Sequence, residues 1–191
     1  MDWIIPGTVI TGKREEAAFI EKQFKSMFMA GGIVLSQVSG ITGLEPYMVQ
    51  NWVKRGFLTS PVQKRYTMRQ LCRIININML KNALPMEQIC GLLGYINGNL
   101  HDESDDLIDD SALYFMFVQL AARARHIGGN QEWGEAIESV LLDYEEPVPG
   151  AKERVAKVLR VMLTAWIAAQ LRQQAEKAIA SLQETEEEME R

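Results

Sequence analysis

The chain has 191 residues, 47% of them hydrophobic and 24% charged, with a formal net charge of −5, enough apolar material for the core of one large or two small domains. No apolar run reaches the roughly 20 residues that a membrane helix needs; the longest late in the chain, VMLTAWIAAQL between Arg160 and Arg172, has 11. The opening MDWIIPGTVI carries an acid where a secretory leader carries base, and Cys72 and Cys90 form no CxxC pair, so the expectation is a cytoplasmic protein with free thiols and no membrane segment.

In chain order, Ala17, Ile20, Phe24, Met27 and Phe28 recur at helical spacing and predict an amphipathic helix from Lys13 to Ala30, ended by Gly31-Gly32. Leu35 and Val38 mark a short second helix, with Gly40 and Gly43 punctuating a tight turn. A third helix opens at Pro46, whose missing N–H has no intrahelical partner at a first position. Val49, Trp52 and Val53 share its inner face, and Gly56 ends it. Two short helices joined by a glycine-bearing turn form a helix-turn-helix pattern. FLTSPVQKRYT is too polar and too interrupted by Pro61 for a helix; a small hairpin or extended loop is expected, and no other β-structure. Thr67 and Gln70 have capping-box spacing and open a helix striped by Leu71, Ile74, Ile75, Asn78 and Met79; a further helix starts at Pro85.

NGNLHDESDDLIDDS, with six acids from Asp102 to Asp110, predicts an acidic linker over 99–110 that leads into a helix with a negatively charged N-terminus. Helices follow from Leu113 to His126, from about Gln131 to Tyr144, and from about Ala151 into the acidic ETEEEMER. The last one carries Val155, Val158, Leu159, Met162, Leu163, Trp166, Ile167 and Leu171, a stripe wider than a coiled-coil seam and suited to a bundle. The fold class expected is all-α. Its divisions are an N-terminal segment and helix over 1–32, a helix-turn-helix domain over 33–98, the linker, and a bundle-like domain over 111–191.

Charge is unevenly spread. From Ala30 to Asn82 the cations are Lys54, Arg55, Lys64, Arg65, Arg69, Arg73 and Lys81 against the one acid Glu45, a local +6 that leaves −11 for the remainder. Such asymmetry suits a module that binds a polyanion. If Val49, Trp52 and Val53 face inward, then Tyr47, Met48, Gln50, Asn51 and Lys54 face outward. Gln50 and Asn51 can pair with adenine, Lys54 with phosphate or guanine, and Tyr47 with a phosphate oxygen. Arg55, at the end of that helix, and Lys64, Arg65 and Tyr66 beyond it complete a candidate grip on double-stranded DNA. The same features also fit a packing solution in which Lys54 and Arg55 complement a helix C-terminus and the rest is a solvated surface.

LSQVSGITGLEPYMVQNWVKRGFL, KRYT and MRQLCRIININMLKNALPMEQICGLL together resemble the DNA-binding domain of the MerR family of bacterial regulators, over about residues 33–95. Gly56-Phe57-Leu58 matches the exit from the recognition helix, Lys64-Arg65-Tyr66 the wing, and Leu80 to Leu93 the last helices. The resemblance implies a winged helix-turn-helix that binds duplex DNA and regulates transcription. Gln50-Asn51-Trp52 stands where MerR proteins usually carry an Arg-aromatic-aromatic run, and the wing is shorter. Over its full length, including QNWVKRGF, YTMRQLCRIININML and INGNLHDESDDLIDDSALY, the chain resembles still more the uncharacterised bacterial domain-of-unknown-function 1836 family, itself described as MerR-like.

In MerR-type proteins the helices after the DNA-binding domain join two copies, so a homodimer through 111–191 is expected, its half-sites about one DNA turn (~34 Å) apart. A small-molecule effector would sit among Tyr114, Phe115, Phe117, Trp133 and Trp166, although aromatics at helical spacing are more often core. The acidic run lacks the sixth-position glycine and terminal Glu of an EF-hand, and His101 and His126 lack partners at zinc-ligand spacing. No GxSxG, P-loop or GxGxxG occurs, so neither metal, cofactor nor enzymatic activity is expected. The rival expectation is a protein–protein interaction module on a helix-turn-helix scaffold, its basic face meeting an acidic partner.

Overall fold

A computed structural model describes residues 2–124 and 130–189, with the side chains of Asp2, 130–131 and 183–189 not described. Helices predominate, as the all-α expectation requires. The chain opens with a feature the sequence did not announce, an antiparallel hairpin of β1 (Asp2–Ile4) and β2 (Thr11–Lys13) with Trp3 opposite Gly12. Three-residue strands are too short to establish an alternating period. In the loop between them, Gly7 has φ +72 and a Cβ there would meet the Ile75 carbonyl oxygen at 2.6 Å, so only glycine permits this close approach. A 3₁₀ turn over Arg14–Phe19 precedes α1 (Ile20–Met27), which is shorter at both ends than the helix expected over 13–30.

Next come β3 (Ile33–Val34), α2 (Leu35–Thr42), α3 (Pro46–Lys54) and β4 (Arg65–Tyr66), with β3 and β4 antiparallel. Gly40 lies inside α2 rather than in the turn; the turn is made by left-handed Gly43 alone, φ +69, whose N–H closes on the Ser39 carbonyl. α4 (Met68–Leu80) begins with the anticipated capping box: Gln70 N–H donates to Thr67 Oγ1 at 3.2 Å, and Thr67 N–H to Gln70 Oε1 at 2.9 Å. α5 (Met86–Asn97) follows Pro85.

α6 (Asp110–Arg123), α7 (Asn130–Val140) and α8 (Ala151–Met189) complete the chain. α4 is buried along most of its length and packs against α2, α5, α6 and α8. One continuous apolar core therefore runs from Trp3 to Ala165, across the division expected near residue 98. Tyr114, Phe115 and Phe117 belong to that core, with Phe115 edge-on to Phe24 at 5.6 Å and the Tyr114 hydroxyl donating to the Pro6 carbonyl. Trp133 and Trp166 are half-buried. On α8, Val155, Val158, Leu159, Met162 and Leu163 are buried, whereas every residue from Leu171 to Leu182 is exposed. Among the described residues no helix is long and apolar enough to cross a membrane. His126 lies outside the described residues.

The acidic stretch packs against the helices on either side of it. Leu107 and Ile108 are buried, the Leu107 N–H donates to the Ile96 carbonyl at 2.7 Å, and the Tyr144 hydroxyl donates to the Leu107 carbonyl at 2.5 Å. Its two apolar residues and its carboxylates strap it down. Asp102 caps Ser104, Asp109 caps Ser111 and Ala112, and Asp106 and Asp110 reach the arginines of α4. Among the described residues no group of three His, Cys, Asp or Glu side chains is arranged to hold a metal ion.

Candidate nucleic-acid interface

α3 is fixed from below by Val49 and Trp52, both buried. Its end is a Schellman turn: Gly56, φ +75, donates to Val53, and Phe57 N–H donates to Trp52 at 2.9 Å. That leaves Tyr47, Gln50, Asn51 and Lys54 exposed, Tyr47 by 67%. Met48 departs from the expected outward set. Four residues before Trp52, it sits on the flank of the buried stripe and packs against the core. Arg55 is exposed beyond the last turn, its guanidinium 4.6 Å from the centre of the Phe57 ring.

The segment after α3 is stapled to α4. Arg73 Nε donates to the Phe57 carbonyl at 3.0 Å, and Gln70 Nε2 to the Thr59 carbonyl, Thr59 Oγ1 and the Ser60 carbonyl at 2.9–3.1 Å. One glutamine thus caps a helix with its oxygen and holds a loop with its nitrogen. The chain then reverses through Val62-Gln63-Lys64-Arg65, closed by Arg65 N–H to the Val62 carbonyl at 2.9 Å. Gln63 and Lys64 have φ +50 and +62, the left-handed pair that suits the twist of a two-residue hairpin. Arg65 pairs with Val34 in the short sheet, and its guanidinium donates to the Gly32 carbonyl at 3.0 Å.

Tyr66 does not offer its ring to a phosphate. It pairs with Ile33, is 3% exposed, and burial pushes its phenol above the usual 10.0. The strand alternation explains this: with Arg65 outward, Tyr66 must point inward. Between α3 and the 62–65 turn lies a notch of about 560 Å³ that both Gln50 and Lys64 line.

The seven cations of the basic stretch divide. Arg69 pairs with Asp106 at 2.5 Å and Glu103 at 3.3 Å, while Arg73 pairs with Asp110 at 3.3 Å, where Arg69 also approaches to 3.9 Å. Burial pushes the Asp106 and Asp110 carboxyls above their ordinary 3.8, with the guanidiniums pulling the other way. Lys81 lies elsewhere, in a hollow with Gly7, Asn78 and Trp166. Lys54, Arg55, Lys64 and Arg65 make no ion pair among the described residues. The sequence pattern missed the Asp106/Asp110 pairing and the second use of Gln70, since neither leaves a periodic signal.

No curated protein and no solved structure matches the chain significantly. A family model described as "Domain of unknown function (DUF1836)" matches residues 19–117, more than half of the sequence and a span running from the start of α1 into α6. The chain belongs to the DUF1836 family.

Proposed function

We propose that this chain binds duplex DNA as a transcription regulator of MerR-like winged helix-turn-helix type, with α3 as recognition helix and residues 57–66 as wing. The observation that carries it is that Gln50 and Lys64 line one notch, in a region where Lys54, Arg55, Lys64 and Arg65 are exposed and have no acid paired to them among the described residues. A helix presenting amide side chains beside unpaired cations answers the two needs of duplex recognition: base edges for choice, phosphates for affinity. Met48 and Tyr66 drop out of the contact set, which becomes Tyr47, Gln50, Asn51, Lys54, Arg55, Lys64 and Arg65.

Two copies joined through the exposed part of α8 would present two such faces. Leu171, Ala175, Ala178 and Leu182 follow a three-four spacing there, and Leu171 and Leu182 are exposed by 44% and 67%; such a seam suits a helix pair. Selection from a random duplex pool tests the DNA reading, followed by anisotropy titration of the winners against salt. Binding at ~50 mM salt that weakens steeply with added salt and sharpens on a selected sequence is the expected result. No binding at that salt overturns it. Sedimentation giving monomer at high concentration overturns the dimer.

A further inference from the structure

The notch beside α3 has polar members in Ser36, Gln50 and Lys64, but most of its lining is apolar. Val34, Leu35, Val53, Pro61 and Tyr66 line it, Val34 being 38% exposed, and its volume of about 560 Å³ falls in the range that accepts a small ligand or an inserted side chain. Lys64 lines it, and Lys54 and Arg65, exposed and without an acid partner among the described residues, are the chain neighbours of its lining residues Val53, Lys64 and Tyr66. The complementary chemistry is a peptide with one apolar side chain between carboxylates. The sequence contains such a segment, QETEEEMER at 183–191, in which Met189 has Glu186, Glu187 and Glu188 before it and Glu190 after it.

Among the described residues, none of α8 lines the notch. The 57–66 segment is stapled at the start of α4, through Gln70 to Thr59 and Ser60. α8 instead passes the far end of α4, where Arg172, Gln173 and Glu176 share a hollow with Asn78, Lys81 and Asn82. By Leu182 it has run about 20 Å beyond its last half-buried residue, Ala169, at ~1.5 Å per residue. We propose that the notch between α3 and the 62–65 turn docks the acidic 184–190 segment of a second copy of this chain, with Met189 in the hollow and the glutamates on Lys54, Lys64 and Arg65. The surface overlaps the one assigned to DNA, but the docking requires no DNA.

The test is anisotropy of a labelled synthetic peptide spanning 180–191, titrated with the full chain at ~50 mM salt, where charge pairing is least screened. Saturable binding is expected, weakened about tenfold or more both by Met189→Ser in the peptide, which removes the buried apolar group, and by Lys64→Glu in the protein. Circular dichroism of Lys64→Glu verifies that the exposed turn still folds; Lys54→Glu on α3 gives the second variant if it does not. No saturable binding overturns the proposal. So does binding that Met189→Ser leaves unchanged, since that would be charge attraction without the hollow. Peptide binding by a chain that ignores duplex sinks the DNA reading and leaves this one standing, whereas duplex binding without peptide binding does the reverse.

Discussion

Lys54, Arg55, Lys64 and Arg65 and, a few residues later, Arg69 and Arg73 come from one basic stretch of sequence, yet they meet opposite fates. The first four stay in water on α3 and the turn beyond it, and none is paired with an acid among the described residues. The other two point from α4 into the strap formed by residues 99–110, where Asp106, Asp110 and Glu103 neutralise them. Local net charge therefore overstates what a partner would feel. What separates the groups is the element that bears them: α4 is buried along most of its length, and a cation there needs a counter-charge, while a cation on a hairpin tip does not.

The largest effect should come from the buried side of this divide. Arg73→Met removes the nearest guanidinium from Asp110 and the donor that holds the Phe57 carbonyl, and should cost about 3–5 kcal/mol in urea unfolding at pH 7. Asp110 sets the pH dependence. Its folded-state pKa already lies above 3.8 through burial, and losing Arg73 raises it further. A carboxyl raised in this way binds its proton more readily folded than unfolded, so its stabilisation is complete below the unfolded value and is lost as pH rises through the folded one. The deficit of Arg73→Met should thus be greatest at neutral pH and shrink toward pH ~4, where the stranded carboxyl protonates. Adding Asp110→Leu should recover most of the loss at pH 7; equal deficits at both pH values would show that the ion pair is not what matters.

On the exposed side the same kind of substitution should leave stability alone and change recognition. Asn51→Ala, on the surface of α3, should move unfolding by no more than about 0.5 kcal/mol. It should reduce discrimination at one base pair by about 1–3 kcal/mol, read as a flattened preference in a selected-duplex series. A fold that weakens with preference intact would move Asn51 to the structural group.

Between these two lies the junction, and Thr67→Ala tests it. Loss of the Thr67 cap on Gln70 N–H should cost about 1 kcal/mol. It should also loosen Gln70, whose other end holds Thr59 and Ser60, so hydrogen exchange should quicken through 57–62. Faster exchange in α4 alone would show that the loop does not depend on the cap.

The parts legible in the sequence were those set by local rules. Pro46, Gly43, Gly56 and the Thr67–Gln70 box each fix a helix end through groups within a few residues, and each was found where expected. Val49 and Trp52 were legible as core by spacing. Met48 was misjudged because a helix flank is neither inside nor outside, and Tyr66 because its aromatic hydroxyl next to Lys64-Arg65 resembles a surface motif until strand alternation with Arg65 turns it inward. The ion pairs of the strap are illegible for a related reason. Its acids suggest solvent, but their partners Arg69 and Arg73 lie more than 30 residues earlier, and pairings across such a distance leave no trace in local composition.

The smallest expected effect concerns the backbone of the turn. Gln63 and Lys64 hold left-handed conformations, which disfavour side chains with a Cβ but are tolerated by asparagine. Lys64→Asn should relieve part of that strain, raising stability by about 0.5 kcal/mol, while removing one cation. Duplex affinity should fall, and its dependence on salt should become shallower by about one phosphate contact. Lys64→Arg keeps the charge and the strain and should alter neither. If Lys64→Asn gains stability with an unchanged salt slope, Lys64 serves the turn's geometry and not a polyanion, and the exposed group of cations shrinks to Lys54, Arg55 and Arg65.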